Sequence, residues 1–235
     1  MFISDIRHMS YVKERPGFVV CLSSGGFDSA VLLHWCATRF RAAQPVYVTT
    51  GLRWERAELR ALESFLDAYR SSPARGPAKM LPLHVVTLPK VAGAVPRWAR
   101  PGAKVPGLRT PDSAVFLPGR NLALLGAAAR IAAASGAGAI AMGTLASNPF
   151  PDGRPAFFRA FAKTASLGLG RPLRVVTPFR RWTKSRVAHF GIGLPLQHTL
   201  SCIAPVSRGT RAPIPCGRCN KCAERSRGLR VTDRP

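Results

Sequence analysis

Carboxylates are scarce in this chain: 11 Asp and Glu stand against 35 Lys and Arg among 235 residues, a formal net charge of +24. That surplus suits a polyanionic ligand such as ATP, a nucleotide-like substrate or tRNA. It also suits a plain compositional bias, because Arg far outnumbers Lys while Ala, Gly and Pro abound. No block of five or six like charges occurs, and no basic run is interleaved with aromatics. A dedicated nucleic-acid tract is therefore not expected. Internal repeats and low-complexity segments are absent.

Long apolar runs are missing as well. Met1 to Pro16 carries Asp5, Arg7, Lys13, Glu14 and Arg15 with no apolar core behind them, so no targeting segment is expected. Leu122 to Met142 is apolar but contains Arg130 and several glycines, which reads as a buried helix followed by a strand rather than a membrane span. A soluble cytoplasmic protein is expected. With 46% hydrophobic and 20% charged residues, the chain can build a real core, and its length suits one α/β domain with a small appendage.

Phe18 to Leu22 is a short apolar run that reads as a buried strand, followed by a Gly-rich turn and a helix from Ser29 to Phe40. Strands are expected at 46–49, 83–88, 114–117, 139–142 and 173–177, and helices at 53–69, 121–135, 155–167 and 183–190. Asn121 is placed to cap the helix at 121–135. Alternation of strand and helix predicts βαβ units in a doubly wound, mostly parallel sheet, with ligand at the carboxyl ends of the strands. Pro89 to Pro111 is a long connection, long enough to act as a lid. After Gly193 the regular pattern fades, so the core domain is drawn as 1–193 and the tail as 194–235.

Neither the Gly-Lys-Ser/Thr of a Walker loop nor GxGxxG is present; Ser24-Gly25-Gly26-Phe27-Asp28-Ser29 stands between the first strand and helix instead. Unpaired N–H groups at a helix N-terminus attract phosphate oxygens. Glycines admit positive φ and close approach to a ligand, and the Ser24 and Ser29 hydroxyls can donate to phosphates. Asp28 places a carboxylate among those phosphates, which makes sense if it meets Mg²⁺ or orients the loop. The loop resembles that of the N-type ATP pyrophosphatases. The resemblance implies an adenine nucleotide α-hydrolase-like fold and cleavage of ATP to AMP and pyrophosphate, with a substrate activated as its adenylate.

Cys216-Gly217-Arg218-Cys219-Asn220-Lys221-Cys222 is a CxxCxxC run, and Cys202 can supply a fourth thiolate. Four thiolates close a tetrahedron around Zn²⁺ and leave no open position, as in a structural site. An iron–sulfur cluster is the rival occupant. Cys21 and Cys36 stand apart and read as buried thiols.

Four segments in order resemble the QueC family of 7-cyano-7-deazaguanine synthases: Ser24–Ser29; Leu117-Pro118-Gly119-Arg120-Asn121-Leu122; Phe150-Pro151-Asp152-Gly153-Arg154-Pro155; and Thr199-Leu200-Ser201-Cys202 through Cys222. Thr177-Pro178-Phe179 leading to Trp182-Thr183-Lys184 adds a fifth. The resemblance implies that 7-carboxy-7-deazaguanine and ammonia are substrates beside ATP, that Mg²⁺ and Zn²⁺ are bound, and that the chain forms a homodimer. By it, Leu22, Ser24, Gly25, Gly26, Phe27, Asp28, Ser29, Arg120 and Asn121 face ATP. Asp28, Ser29 and Lys184 serve catalysis, Asp152 and Arg154 hold the substrate, and Cys202, Cys216, Cys219 and Cys222 hold the metal. Structural alternatives stand beside three of these: a helix-surface lysine at 184, helix capping at 120–121, and turn chemistry in Pro151-Asp152-Gly153.

The chain departs from the family pattern at Thr50-Gly51-Leu52-Arg53-Trp54-Glu55, where a Tyr-Gly-Gln-Arg-His-like string is usual, and at Ala146-Ser147-Asn148-Pro149. The departure points to one rival, a QueC-like ligase that stops at an amide. The +24 charge favours a second, a tRNA-modifying ATP pyrophosphatase. A third is a non-catalytic nucleotide-binding or zinc-dependent interaction module, against which Asp28 and both loop serines stand.

Overall fold

The computed structural model describes residues 16–89, 95–206 and 212–232, by backbone alone from 228 onward. The N-terminal reading of residues 1–15 and part of the expected lid, 90–94, lie outside these.

Parallel strands β1 (Phe18–Leu22), β2 (Ala42–Thr49), β3 (Lys79–Met80), β4 (His84–Thr87), β5 (Ala139–Ala141) and β6 (Arg174–Val176) form one sheet. Its order is β3-β2-β1-β5-β6, with β4 also paired to β2. Helices α1 (Phe27–Arg39), α2 (Glu55–Arg70), α3 (Arg120–Ser135), α4 (Pro155–Leu169), α5 (Lys184–Phe190) and α6 (Asn220–Thr232) complete the chain order.

Strand residues alternate between two faces, and each face has its own core. Val19, Cys21, Tyr47, Ala139 and Ala141 pack with the apolar sides of α1, α2 and α5. Val20, Leu22, Val46, Val48 and Ile140 pack with α3 and with Phe158 of α4. Both faces are covered, which is why β1 and β5 read as continuous apolar runs. Pro45 can sit in a central strand because its missing donor falls in the gap between Met80, before it, and His84, after it, on the neighbouring strands.

The chain runs outward from β1 to β2 and beyond, then returns through α3 to β5 on the other side of β1. That reversal opens a crevice at the carboxyl ends of β1 and β5, where open α/β sheets bind ligands.

Two expectations fail. Residues 114–117 form no strand: Asp112–Val115 is a 3₁₀ turn, with the Ala114 N–H donating to the Pro111 carbonyl at 3.0 Å. Prolines on both sides leave too short a segment to pair. The tail is not irregular throughout, because α6 begins inside the cysteine run. Its face is charged and lacks apolar periodicity, so no helical pattern shows in the sequence. Within the expected lid, the described part is tied down by the Asn220 N–H to the Pro106 carbonyl at 3.2 Å and Arg53 Nη1 to the Ala103 carbonyl at 2.6 Å. Among the described residues no helix is long and apolar enough to cross a membrane.

Gly25 has φ +74°, and a Cβ there would stand 2.3 Å from the Glu58 carbonyl oxygen of α2. Gly25→Ala therefore combines left-handed strain with a backbone clash. It is expected to lower stability by at least about 3 kcal/mol, read as a fall in the thermal midpoint; an unchanged midpoint would contradict the packing.

Candidate active site

The crevice holds a cavity of about 330 Å³. Its floor is the loop 23–29, its walls are Tyr47, Glu58, Arg120, Thr144 and Asp152, and α6 overhangs it with Lys221, Glu224 and Arg225.

The loop is held from within and from behind. Ser29 Oγ accepts the Ser24 N–H at 3.1 Å and donates to the Gly26 carbonyl at 2.9 Å. Ser24 Oγ accepts the Gly26 N–H at 3.4 Å. The serines thus shape the loop as well as facing the cavity. The Phe27 N–H donates to Ser201 Oγ at 3.1 Å, and the Leu200 N–H donates to the Gly25 carbonyl at 2.8 Å. Gly25 itself does not line the cavity; its glycine is required by α2 behind it rather than by a ligand in front.

Lys184 is not a surface lysine. Its Nζ donates to both Asp28 oxygens at 2.7 and 2.8 Å and stands 4.9 Å above the Phe27 ring. Thr183 caps α5 by accepting the Arg186 N–H at 3.2 Å, which fixes the lysine's starting point. Burial raises the Asp28 carboxyl above its ordinary range, against the pull of Lys184. Beyond Lys184 an ionic chain continues through Glu224 at 3.8 Å, Lys221 at 2.8 Å from Glu224, and Asp112 at 3.8 Å from Lys221. Burial works against the Glu224 charge, but Lys221 and Lys184 hold its carboxyl below the usual range.

Asn121 does not cap α3. Gly119, at φ +73°, precedes the helix, and the Asn121 N–H is received by Asp152 Oδ2 at 3.2 Å while Asn121 Nδ2 donates to the Asp152 carbonyl at 3.0 Å. Asp152 is therefore the anion at the helix N-terminus. Burial raises its carboxyl, opposed by the Asn121 N–H. Arg154 is exposed and lies outside the cavity, at the start of α4. Leu22, Ser24, Gly26, Phe27, Asp28, Ser29, Arg120, Asn121, Asp152 and Lys184 do gather there.

Three polar atoms in the wall, Arg120 Nε, Thr144 Oγ1 and Asp152 Oδ1, are buried with no hydrogen-bond partner. Buried polar atoms are rarely left so; all three belong to residues that line the cavity.

Cys202, Cys216, Cys219 and Cys222 bring their sulfurs within 4.8 Å of one another, a group able to hold a metal ion. Adjacent sulfurs stand 3.5 to 3.9 Å apart. The Ala204 and Cys216 N–H groups point at Cys202 Sγ at 3.4 and 3.3 Å. Hydrogen bonding with Cys202 holds the Cys219 thiol down to about 4, while Cys202 is pushed up.

Sequence reasoning missed Ser201, Glu58, Thr144, Lys221, Glu224 and Arg225. Lys221 and Ser201 were visible as neighbours of metal-type cysteines. Nothing in the sequence marked Glu58, a helix residue among many.

The model of the family described as queuosine biosynthesis protein QueC matches residues 18–233. This chain belongs to the QueC family. The 7-cyano-7-deazaguanine synthase of Methanothrix thermoacetophila is 31% identical over 91% of this QueC-family chain and 94% of its own. That of Anaeromyxobacter dehalogenans is 32% identical over 94% of each. Among solved structures, the U34-tRNA thiolase NcsA from Methanococcus maripaludis with its [4Fe-4S] cluster aligns over 94% of this chain and 66% of its own. Its TM-score is 0.49 at 13% identity, too loose to bear on ligand or substrate.

Within this QueC-family site Glu58 is buried, and burial lifts its carboxyl to about 7, against Arg120 and the Tyr47 hydrogen bond. A carboxyl raised on folding contributes fully below its unfolded value of 4.5 and loses that contribution as pH rises through about 7. The gap corresponds to about 3 kcal/mol. Glu58→Gln is thus expected to melt above the wild type at pH 8 but not at pH 5. Equal differences at the two pH values would show that Glu58 does not titrate in this way.

Proposed function

We propose that this chain is a 7-cyano-7-deazaguanine synthase, converting 7-carboxy-7-deazaguanine and ammonia to the nitrile with ATP as activator. The observation that carries the reading is the sharing of one cavity by the glycine loop with Lys184 and by Arg120, Thr144 and Asp152. One end suits a triphosphate and the other a hydrogen-bonding heterocycle. In this reading the loop and Lys184 neutralise the departing pyrophosphate, with the Gly26 and Phe27 N–H groups exchanging their serine partners for phosphate oxygens. Asp152 Oδ1 accepts from the ring N–H and exocyclic amine of the deazaguanine. Arg120 and Thr144 fix the heterocycle so that its carboxylate oxygen faces the α-phosphorus. Ammonia displaces AMP to give the amide, and a second ATP carries the amide to the nitrile.

Asp28 fits a Mg²⁺ site, since that ion is commonly held by one or two carboxylates together with substrate phosphates and water; when bound it would offset phosphate charge. For Lys184 to serve the phosphates, its hold on Asp28 must loosen as they arrive. The cysteine group fits Zn²⁺. Sulfurs about 2.3 Å from a single tetrahedral ion lie about 3.8 Å from each other, and the observed 3.5 to 3.9 Å agrees. A polynuclear cluster would hold them farther apart. We read 194–235 as a metal-fastened segment closing the site of the 1–193 domain, and the reaction as cytoplasmic, with homodimer formation left to a sizing measurement.

A second reading has one observation behind it. Trp54, where the family string carries a histidine, lines the cavity and stacks on Trp98 with centroids 5.9 Å apart. A ligase that stops at the amide could use that altered wall for another amine.

Incubation with Mg-ATP, ammonium and 7-carboxy-7-deazaguanine, read by mass spectrometry, tests the proposal. Nitrile with AMP is expected; amide alone would assign the ligase, and no AMP would rule out this substrate. Asp28→Asn is expected to reduce AMP formation at least about 100-fold without loss of fold; unchanged turnover would remove Asp28 from the mechanism. Metal analysis of the purified protein is expected to return about one zinc per chain, with iron and visible absorbance as the contrary result.

A further inference from the structure

We propose that Glu58 is the proton acceptor for the nitrogen nucleophile, resting on the reading above that an acyl adenylate is made in this cavity. Five carboxylates line the cavity: Asp28, Glu58, Asp112, Asp152 and Glu224. Asp28, Asp112 and Glu224 are ion-paired to Lys184 or Lys221. Asp152 is anchored by the Asn121 N–H at the head of α3. Glu58 alone is neither paired nor anchored in this way among the described residues. The hydrogen bond it receives there comes from a phenol, Tyr47 Oη to Glu58 Oε2 at 3.0 Å.

Its position suits the task. The main chain of Glu58 abuts Gly25, so α2 delivers this carboxylate directly behind the loop expected to hold the phosphates. Glu58 is only 9% exposed and is among the residues that line the cavity. The charged and titratable groups bearing on it are Arg120 of α3, Tyr47 of β2 and Glu55 of its own helix. Glu55 is fully occupied by Thr50 and Gly51, accepting from Thr50 N, Thr50 Oγ1 and Gly51 N at 2.7, 2.9 and 3.0 Å. Burial outweighs Arg120 and the Tyr47 hydrogen bond and tunes Glu58 toward neutral pH, where a general base works best.

The step balances without any redox partner. Ammonia attacks the acyl carbon of the adenylate. As the C–N bond forms, the nitrogen passes one proton to Glu58. The acyl C–O bond to phosphate breaks and AMP leaves with its electron pair. Products are the amide, AMP and protonated Glu58, which returns its proton to water. Without an acceptor the protonated nitrogen of the adduct is a better leaving group than AMP, and the step reverses.

Two assays on the full-length, metal-loaded protein separate the possibilities. Carboxylate-dependent exchange of pyrophosphate into ATP, with ammonia left out, reports adenylation; single-turnover amide formation with ammonium reports the transfer. Glu58→Gln is expected to keep exchange near the wild-type rate and to lose at least about 100-fold in amide formation. Amide formation at the wild-type rate would overturn the role while leaving the adenylation reading intact. Loss of both activities would overturn it too, since Glu58 would then serve binding or fold. Absence of exchange in the wild type would instead strike the reading on which the role rests. Tyr47→Phe removes the one hydrogen bond that favours the charged form. It is expected to move the acid limb of the amide-forming rate to higher pH, and a coincident limb would overturn the assignment.

Discussion

The closeness of Gly25 to α2 is the constraint on which the rest of the site depends. With its φ at +74° and no side chain, Gly25 lets the loop lie against the Glu58 carbonyl. In that position the serines hold the loop's shape, with the Gly26 N–H on Ser24 Oγ and the Phe27 N–H on Ser201 Oγ. The same contact brings Glu58 to the cavity from the rear. On the opposite side the tail completes the grip, with Leu200 bonded to the Gly25 carbonyl and Ser201 to the Phe27 N–H. The loop is therefore clamped between a helix that follows it by some thirty residues and a segment near the far end of the chain. Preorganisation of this kind is what electrostatic stabilisation of a departing anion needs, because donors already in place cost no reorganisation when charge develops.

The few carboxylates of this basic chain are concentrated where cations must be held in register. Asp28, Glu224 and Asp112 alternate with Lys184 and Lys221 across the mouth of the cavity. The pairs are partly buried, so their arrangement is less screened than a surface pair would be. Removal of either lysine leaves two carboxylates facing each other, which ties α5 and α6 to the loop as one electrostatic unit. When Lys184 is drawn toward an incoming phosphate, Lys221 still holds Glu224, and Asp28 is the one carboxylate left without its cation.

What the sequence made legible follows the range of the interactions involved. Strand and helix alternation, the glycine loop and the cysteine spacing are local patterns, and the parallel sheet, the loop at the end of β1 and the sulfur group stand where those patterns pointed. Asn121 was misread because local chemistry offers it a familiar role, a cap, while a tertiary contact assigns another, and the demand that α2 makes on Gly25 was equally out of local reach. Asn121 is engaged by Asp152, thirty-one residues away, and Gly25 by α2. Arg154 shares the string of Asp152 but is exposed beyond the cavity lining. Glu58 could not have been singled out, because its character comes from burial beneath elements distant in sequence. The family segments carried the substrate inference, whereas the departure at Trp54 marks a wall whose consequence only the stacked Trp98 makes visible.

The cysteine group is more than a fastener for loose chain. Cys219 and Cys222 pack with Leu52, Trp54, Ala57 and Ala61 around the N-terminal half of α2, so the tail is part of a core shared with the helix that bears Glu58. Cys222 and the cavity residues Lys221, Glu224 and Arg225 lie on the same helix within one turn. Arg225 is fixed in turn by Thr199 Oγ1 at 2.6 Å and the Leu196 carbonyl at 3.1 Å. With little apolar surface of its own, α6 can hold these charges over the cavity only if something else sets its axis. A metal bound by four thiolates supplies a rigid point of attachment where burial of apolar area cannot. The coordination that orders the tail would thereby also set the distance between Lys184 and Glu224, and with it the electrostatic state of Asp28 at the centre of the loop.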